Sequence, residues 1–345
     1  MHDGALDSAP GRSLGRPLGR LLGRSLGALA RVRMSPARVL LLLALAALGL
    51  AIAFMTVGAN GRWGFVLPFR GTKLASLLLV ACAVATATVL FQTVSGNRIL
   101  TPAIMGFDEL YRLIQTGLVV AVGSGGFGDP RLRFLAEAGA MVLFACLLYR
   151  WLLARGERSL HLLLLVGVVC GVLFRSLSQF LQRMLDPNQF VVLQTSFFAN
   201  FNTVHPDLLA LAALGLAAAG FGVWRLVGRL DVLLLGRDEA IALGVDYRRT
   251  LTLVLVLVAL LVSLSTALVG PVTFLGLLVA NLAYRVMPTY RHAFVLPAAA
   301  LVAAITLVGG QLILERVFAL NAALSIVIEF LGGLTLLVLL ARRAR

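Results

Sequence analysis

Arg225–Arg249 reads RLVGRLDVLLLGRDEAIALGVDYRR, a polar stretch between two apolar blocks, 207–225 and 250–269, each long enough to cross a bilayer. It holds five arginines and four carboxylates in a chain in which only 13% of residues are charged. Two readings fit it. One is a solvated connection kept on the cytoplasmic side by its arginines. The other is a surface offered to a partner, because two membrane helices can be joined by a few residues and this stretch carries a short helical pattern of its own.

The surrounding chain decides the fold class. Its 345 residues are 60% hydrophobic, with a mean hydropathy of +0.97, and the apolar residues come in long blocks. Soluble domains hold about 45–50% apolar residues. Blocks of about 20 apolar residues cross the hydrocarbon layer as helices, since backbone N–H and C=O groups must bond internally where no water is present. The alternating pattern of a β-barrel is absent, so the reading is an all-α integral membrane protein. Spans are predicted at 39–57, 72–92, 103–122, 134–154, 160–182, 207–225, 250–269, 272–287, 293–312 and 322–341, about ten crossings.

The formal charge of +15 is spread between these blocks rather than gathered in one patch, which argues against a nucleic-acid partner. With the N-terminus inside, 21 basic residues fall on the cytoplasmic side and seven, among them Lys73, on the other. That asymmetry puts both termini and Arg225–Arg249 on the cytoplasmic side of the membrane. Residues 1–38 form a basic segment with a G-R-x-L repeat over 11–27, rich in glycine and expected to be disordered at an anionic membrane surface. Met34 opens MSPARVLLLL and reads as a second start, so residues 1–33 are expected to be dispensable. The first block follows seven arginines without a small-residue cleavage site, and is read as a retained helix.

Catalytic chemistry finds no support. Cys82, Cys146 and Cys170 lie in apolar blocks without ligand spacing and are expected to be packing residues, with neither metal nor disulfide. No phosphate-binding loop surrounds Lys73, the one lysine, so the chain is not its own ATPase. His161 and His292 sit at predicted helix starts, where a solvated or interfacial histidine is expected.

Three polar features inside the apolar frame are candidates for a solute path. In Asp186–Pro206, Gln194, Ser196, Asn200 and Asn202 alternate with phenylalanines. This reads either as a short helix dipping into a cavity or as an amphipathic interfacial helix. Gly270, Pro271 and Gly276 interrupt an apolar run, giving either a broken helix that lines a path or a plain turn. Arg175 and Gln179 lie one helical turn apart, placed to line a vestibule for an anionic solute; alternatively Arg175 bridges to Glu137 or Glu329. Asn281, Arg285, Gln311, Glu315 and Glu329 are further polar groups expected to face the bundle interior or an aqueous path.

LLGRDEAIALGVDYRR (234–249) followed by ALVGPVTFLGLLVANLAYRVMPTYRHAFVLP (267–297) closely resembles the permease subunits of ABC importers for iron chelates, the family that also contains the vitamin B12 permease. ITLVGGQLILERVF (305–318), the Gly332-Gly333 pair, SGNRILTPAIMGFDELYRLIQT (95–116) and LDPNQFVVLQTSFFANFN (185–202) extend the similarity from about residue 39 to the C-terminus. Ala280-Asn281 stands where most members carry Pro-His, and the usual proline before the last helix is absent at 321–325. These departures look like the branch serving catecholate-type siderophores of the petrobactin or vibriobactin kind. The resemblance implies a permease domain over 39–345 and a second permease, identical or paralogous. It also implies a cytoplasmic ATPase dimer carrying ATP and magnesium, an extracytoplasmic siderophore-binding protein, and a ferric siderophore as solute. It makes the stretch at about 226–249 the ATPase-coupling loop, centred on Gly236, Asp238, Glu239, Ala240, Leu243 and Gly244. The competing reading is an ion-coupled secondary transporter of a small anionic solute, with Glu137 and Glu329 as ion sites.

Overall fold

The apolar blocks resolve into helices, and the described residues contain no strand. The structure is a computed structural model that describes residues 35–58, 63–123, 129–154 and 160–316, together with 324, 326–330 and 332–334. In chain order the helices are α1 (Pro36–Thr56), α2 (Trp63–Ser95), a 3-10 turn (Pro102–Met105), α3 (Phe107–Val122), α4 (Pro130–Ala154) and α5 (Leu160–Gln182). Then follow α6 (Pro187–Ser196), α7 (Pro206–Leu233), α8 (Arg237–Ala242), α9 (Tyr247–Val269), α10 (Leu275–Val286) and α11 (His292–Arg316). These belong to the unit Pro36–Arg345, separate from Met1–Ser35. The repeat at 11–27, Met34, most of the predicted span 322–341 and the C-terminal arginines lie outside the described residues.

Seven of the described helices, α1, α2, α4, α5, α7, α9 and α11, are long and apolar enough to cross a membrane. α3 and α10 are shorter; α3 follows the non-helical stretch 96–101 and the 3-10 turn, and α10 follows the non-helical stretch 270–274. α2 is the central rod, with Leu77, Val80, Ala81, Ala83, Ala85 and Ala87 all buried. It packs on α11, in which Ala298, Ala299 and Ala303 are buried, and on α9, in which Val254, Leu255 and Val258 are buried. Small residues at such contacts let helix backbones approach closely, which is the main source of packing energy where lipid replaces water. The outer helices reverse the soluble pattern. α1 exposes Leu41, Leu45 and Leu48, and α5 exposes Val169, Val172 and Leu173, rows suited to acyl chains.

Two element boundaries differ from the sequence expectation by eight or nine residues. α2 begins nine residues before the predicted position 72, so Lys73, counted with the basic residues of the outer side, lies well inside a helix. There it is buried and bonded to Glu315 and Asn202. α7 runs eight residues past 225, because Leu226, Leu230 and Leu233 continue the buried stripe of Ala219 and Val223 at helical spacing. Arg225 stays on that helix with its guanidinium 5.0 Å from the Phe221 ring centre.

Candidate functional site

Within Arg225–Arg249 the polar stretch contracts to a compact knob. α7 ends at Leu233, and Gly236 turns the chain with φ of +112°, where a side chain would meet Glu239 Oε2 at 2.6 Å. α8 follows with Asp238 and Glu239 in its first turn, where carboxylates complement the helix dipole. Its far end is closed by paired bonds: Gly244 N–H donates to Ile241 O at 2.9 Å and Val245 N–H to Ala240 O at 3.0 Å. This is the Schellman arrangement, with Gly244 supplying the left-handed residue at φ of +82°. Asp246 then caps α9 by accepting from Arg249 N–H at 3.0 Å. Ala240 is fully buried against the body of the protein, while Leu235 (59%) and Leu243 (62%) are exposed beside Leu234 and Ile241. A six-residue helix anchored through Ala240, exposing Arg237, Asp238 and Glu239 beside the apolar Ile241 and Leu243, between two membrane-length helices, suits docking into a groove of another protein.

The base of the knob is tied to the bundle by a buried polar relay. Asp231 Oδ1, near the end of α7, accepts from both the backbone N–H and Nδ1 of His292 at 2.7 Å. His292 Nε2 lies 2.7 Å from Thr93 Oγ1 on α2. Three helices therefore meet at one imidazole. His292 was expected to be solvated or interfacial; instead it is 1% exposed, because the relay gives each ring nitrogen a partner. Beside the relay lies a cavity of about 750 Å³ lined by Arg98, Gly236, Arg237, Tyr284, Tyr290 and Arg291. Asn281 belongs to this end: its amide donates to Arg98 O at 3.1 Å and to Leu277 O at 2.9 Å.

The other end of α9, about 34 Å away at 1.5 Å per residue over its 23 residues, carries the helix break. Gly270 ends α9 with φ of +99°, and residues 270–274 are not helical before α10 begins at Leu275. A side chain on Gly270 would meet Phe198 O at 3.1 Å and Ala199 Cα at 3.2 Å. Asn200 N–H donates to Val269 O at 2.7 Å, so the segment after α6 binds the freed end of α9. Pro271 is buried in this joint. Gly276 leaves room for Thr88, whose hydroxyl a side chain would strike, and Gly332 does the same for Phe274 Cβ at 2.8 Å. Thr273 donates to Asp108 at 2.8 Å.

A second cavity of about 610 Å³ opens here, lined by Gln115, Arg133, Glu137, Ser196, Asn200 and His205. Arg133 holds Glu137 at 2.7 Å and also bonds Gln115. Asn202 joins the Lys73–Glu315 pair, and Gln311 donates to the same carboxylate at 2.7 Å.

The residues predicted for a path are thus only partly gathered. Ser196, Asn200, Gly270, Pro271 and Gly276 meet around the break, with Asn202 on the adjoining strap and half-buried Gln194 on α6. Asn281 lies at the opposite end. Arg175 and Gln179 are exposed on α5, and Arg175 pairs with Glu109 at 2.6 Å rather than with Glu137 or Glu329. Glu109 reaches it because α3 and α5 pack closely. Gly167 and Gly171, a G-x-x-x-G pair, lie against the turn at Met105–Gly106, where a side chain on Gly167 would meet Met105 Cα at 2.8 Å. That spacing is visible in the sequence. The Asp231–His292–Thr93 relay carried no such signal, since its members are far apart in the chain. Cys82, expected as a packing residue, is exposed on α2.

Comparison with known proteins adds to this geometry. The sequence profile described as the FecCD transport family matches residues 38–342. The chain belongs to that family. Among FecCD-related proteins, it is 44% identical over 284 residues to the petrobactin import system permease protein YclO of Bacillus subtilis (82% of this chain, 90% of that one). It is 33% identical over 280 residues to the petrobactin import system permease protein FatC of Bacillus anthracis (79% and 78%). Its fold matches that of a metal-chelate type ABC transporter solved in an inward-facing conformation, with a TM-score of 0.78 at 22% identity over 89% of this chain and 99% of that one. This FecCD chain is a multi-pass membrane protein.

Proposed function

We propose that this chain is the permease subunit of an ATP-binding-cassette importer that moves a ferric siderophore across the cytoplasmic membrane, energised by a separate ATPase. The observation that carries it is the Gly236–Gly244 knob: a short helix fixed by Ala240 and Gly244, with exposed Leu235, Ile241 and Leu243, in a FecCD chain. A knob locked at both ends moves as a rigid body, and Asp231 passes that motion to α11 and α2 through His292 and Thr93. Residues 39–345 form the permease domain, with about ten crossings, both termini in the cytoplasm, and residues 1–38 as a basic cytoplasmic segment. A second permease copy or paralogue, an ATPase dimer holding ATP and magnesium, and an extracytoplasmic binding protein complete the importer.

The solute class follows from the petrobactin permeases that the chain resembles at 44% and 33% identity. Gln194, Ser196, Asn200, Asn202, Gly270, Pro271 and Gly276, around the helix break, are assigned to the translocation path, whereas Arg175, Gln179 and Asn281 lie away from it. Cells carrying the importer should take up iron from catecholate-bearing, petrobactin-type chelates and lose that uptake when this chain is deleted. Unchanged uptake of such chelates after deletion, with loss of uptake of a hydroxamate chelate instead, would reassign the solute.

A further inference from the structure

The cavity beside α8 holds three guanidiniums, those of Arg98, Arg237 and Arg291, and none of them has a carboxylate within ion-pair distance among the described residues. The one carboxylate in its wall, Asp231, is engaged by His292. Arg98 is preorganised. Gln92 and Asn281 both donate to its carbonyl, at 2.8 and 3.1 Å. Its guanidinium lies 4.7 Å from the Tyr284 ring centre and 5.2 Å from that of Tyr290. Gln92, only 3% exposed and also in the wall, leaves its Oε1 without a partner. A preformed cationic cavity bordered by the exposed Leu234 and Leu235 has the anatomy of a protein interface, with aromatic and arginine anchors beside an apolar patch.

We propose that this cavity receives an acidic segment of the partner ATPase, whose carboxylates pair with Arg98, Arg237 and Arg291. Docking is then reciprocal: the knob enters the ATPase, and the ATPase enters the permease beside it. The idea rests on the reading of α8 as the ATPase contact. It favours a protein over a lipid headgroup because the cavity wall is formed in part by Gly236 and Arg237, at the start of the knob.

The test places a photo-crosslinking benzoylphenylalanine at Tyr290 or, separately, at Ile241 in the full importer in its native membrane. Both residues are exposed, at 60% and 49%, so the fold tolerates the change. The expected result is an ATPase adduct from both positions, with the peptide captured at 290 rich in Asp and Glu. An adduct from 241 with only lipid, a non-acidic peptide or nothing at 290 overturns the cavity proposal and leaves the knob reading standing. No ATPase adduct from either position overturns both.

Charge reversal supplies a second arm. Arg237→Glu and Arg291→Glu should each weaken ATPase association at least tenfold at low salt, with the difference from the unaltered permease narrowing as salt rises. Unchanged association at low salt contradicts the proposal.

Discussion

Single residues set the stiffness of the knob. Gly244 has open space around its α-carbon yet a φ of +82°, so glycine is needed there for conformation rather than for room. Gly244→Ala should destabilise the knob by about 1–2 kcal/mol through the left-handed penalty. Uptake should fall while the protein remains in the membrane at normal abundance; uptake and complex yield measured together would check this. Asp231 carries a different prediction. Asp231→Ala strips the acceptor from two buried N–H groups of His292, costing about 1–3 kcal/mol. It should lower the transport achieved per ATP hydrolysed without abolishing ATPase binding. Equal transport per ATP in this variant and the unaltered importer would remove the relay from the coupling path. Gly244 was legible in the sequence as the stop of a short helix. Asp231 was not, because a carboxylate among loop arginines reads as a surface charge until the fold brings His292 and Thr93 to it.

At the scale of elements, apolar blocks gave helix positions closely where one helix fills one block, as for 160–182 and α5. They failed where a helix outruns its block. α7 continues through Arg225, Arg229 and Asp231 because the buried leucines keep their spacing, and average hydropathy does not register spacing. The break at Gly270 was visible as glycine and proline, but its purpose needed the partner strap, since only the fold shows Asn200 bonded to Val269. The contact of α5 with the Met105–Gly106 turn makes a further prediction. Gly167→Leu drives a branched side chain into Met105 Cα, already 2.8 Å from a single added carbon, and should cost more than the about 1–3 kcal/mol of ordinary overpacking. Gly64→Leu, at an exposed position with open space, should be tolerated. The yield of folded protein in mild detergent would separate the two.

For the whole molecule, composition and charge asymmetry were enough to give an all-helical membrane protein, and the motifs at 234–249 and 267–297 gave its family. The polar pairing between helices was beyond them: Lys73 with Glu315 joins α2 to α11, and Arg175 with Glu109 joins α5 to α3. Orientation is testable directly. With Cys82, Cys146 and Cys170 replaced by alanine, a cysteine at Asp238 should react with a membrane-impermeant thiol reagent from the cytoplasmic side alone.

Energy coupling is the central claim, and proteoliposomes holding the permeases and ATPase, with binding protein and radiolabelled ferric chelate on the outer face, test it most directly. The account predicts iron accumulation that requires both ATP and the ATPase, and that falls at least tenfold with Gly244→Trp. Accumulation that persists without the ATPase, driven by an ion gradient, would contradict it.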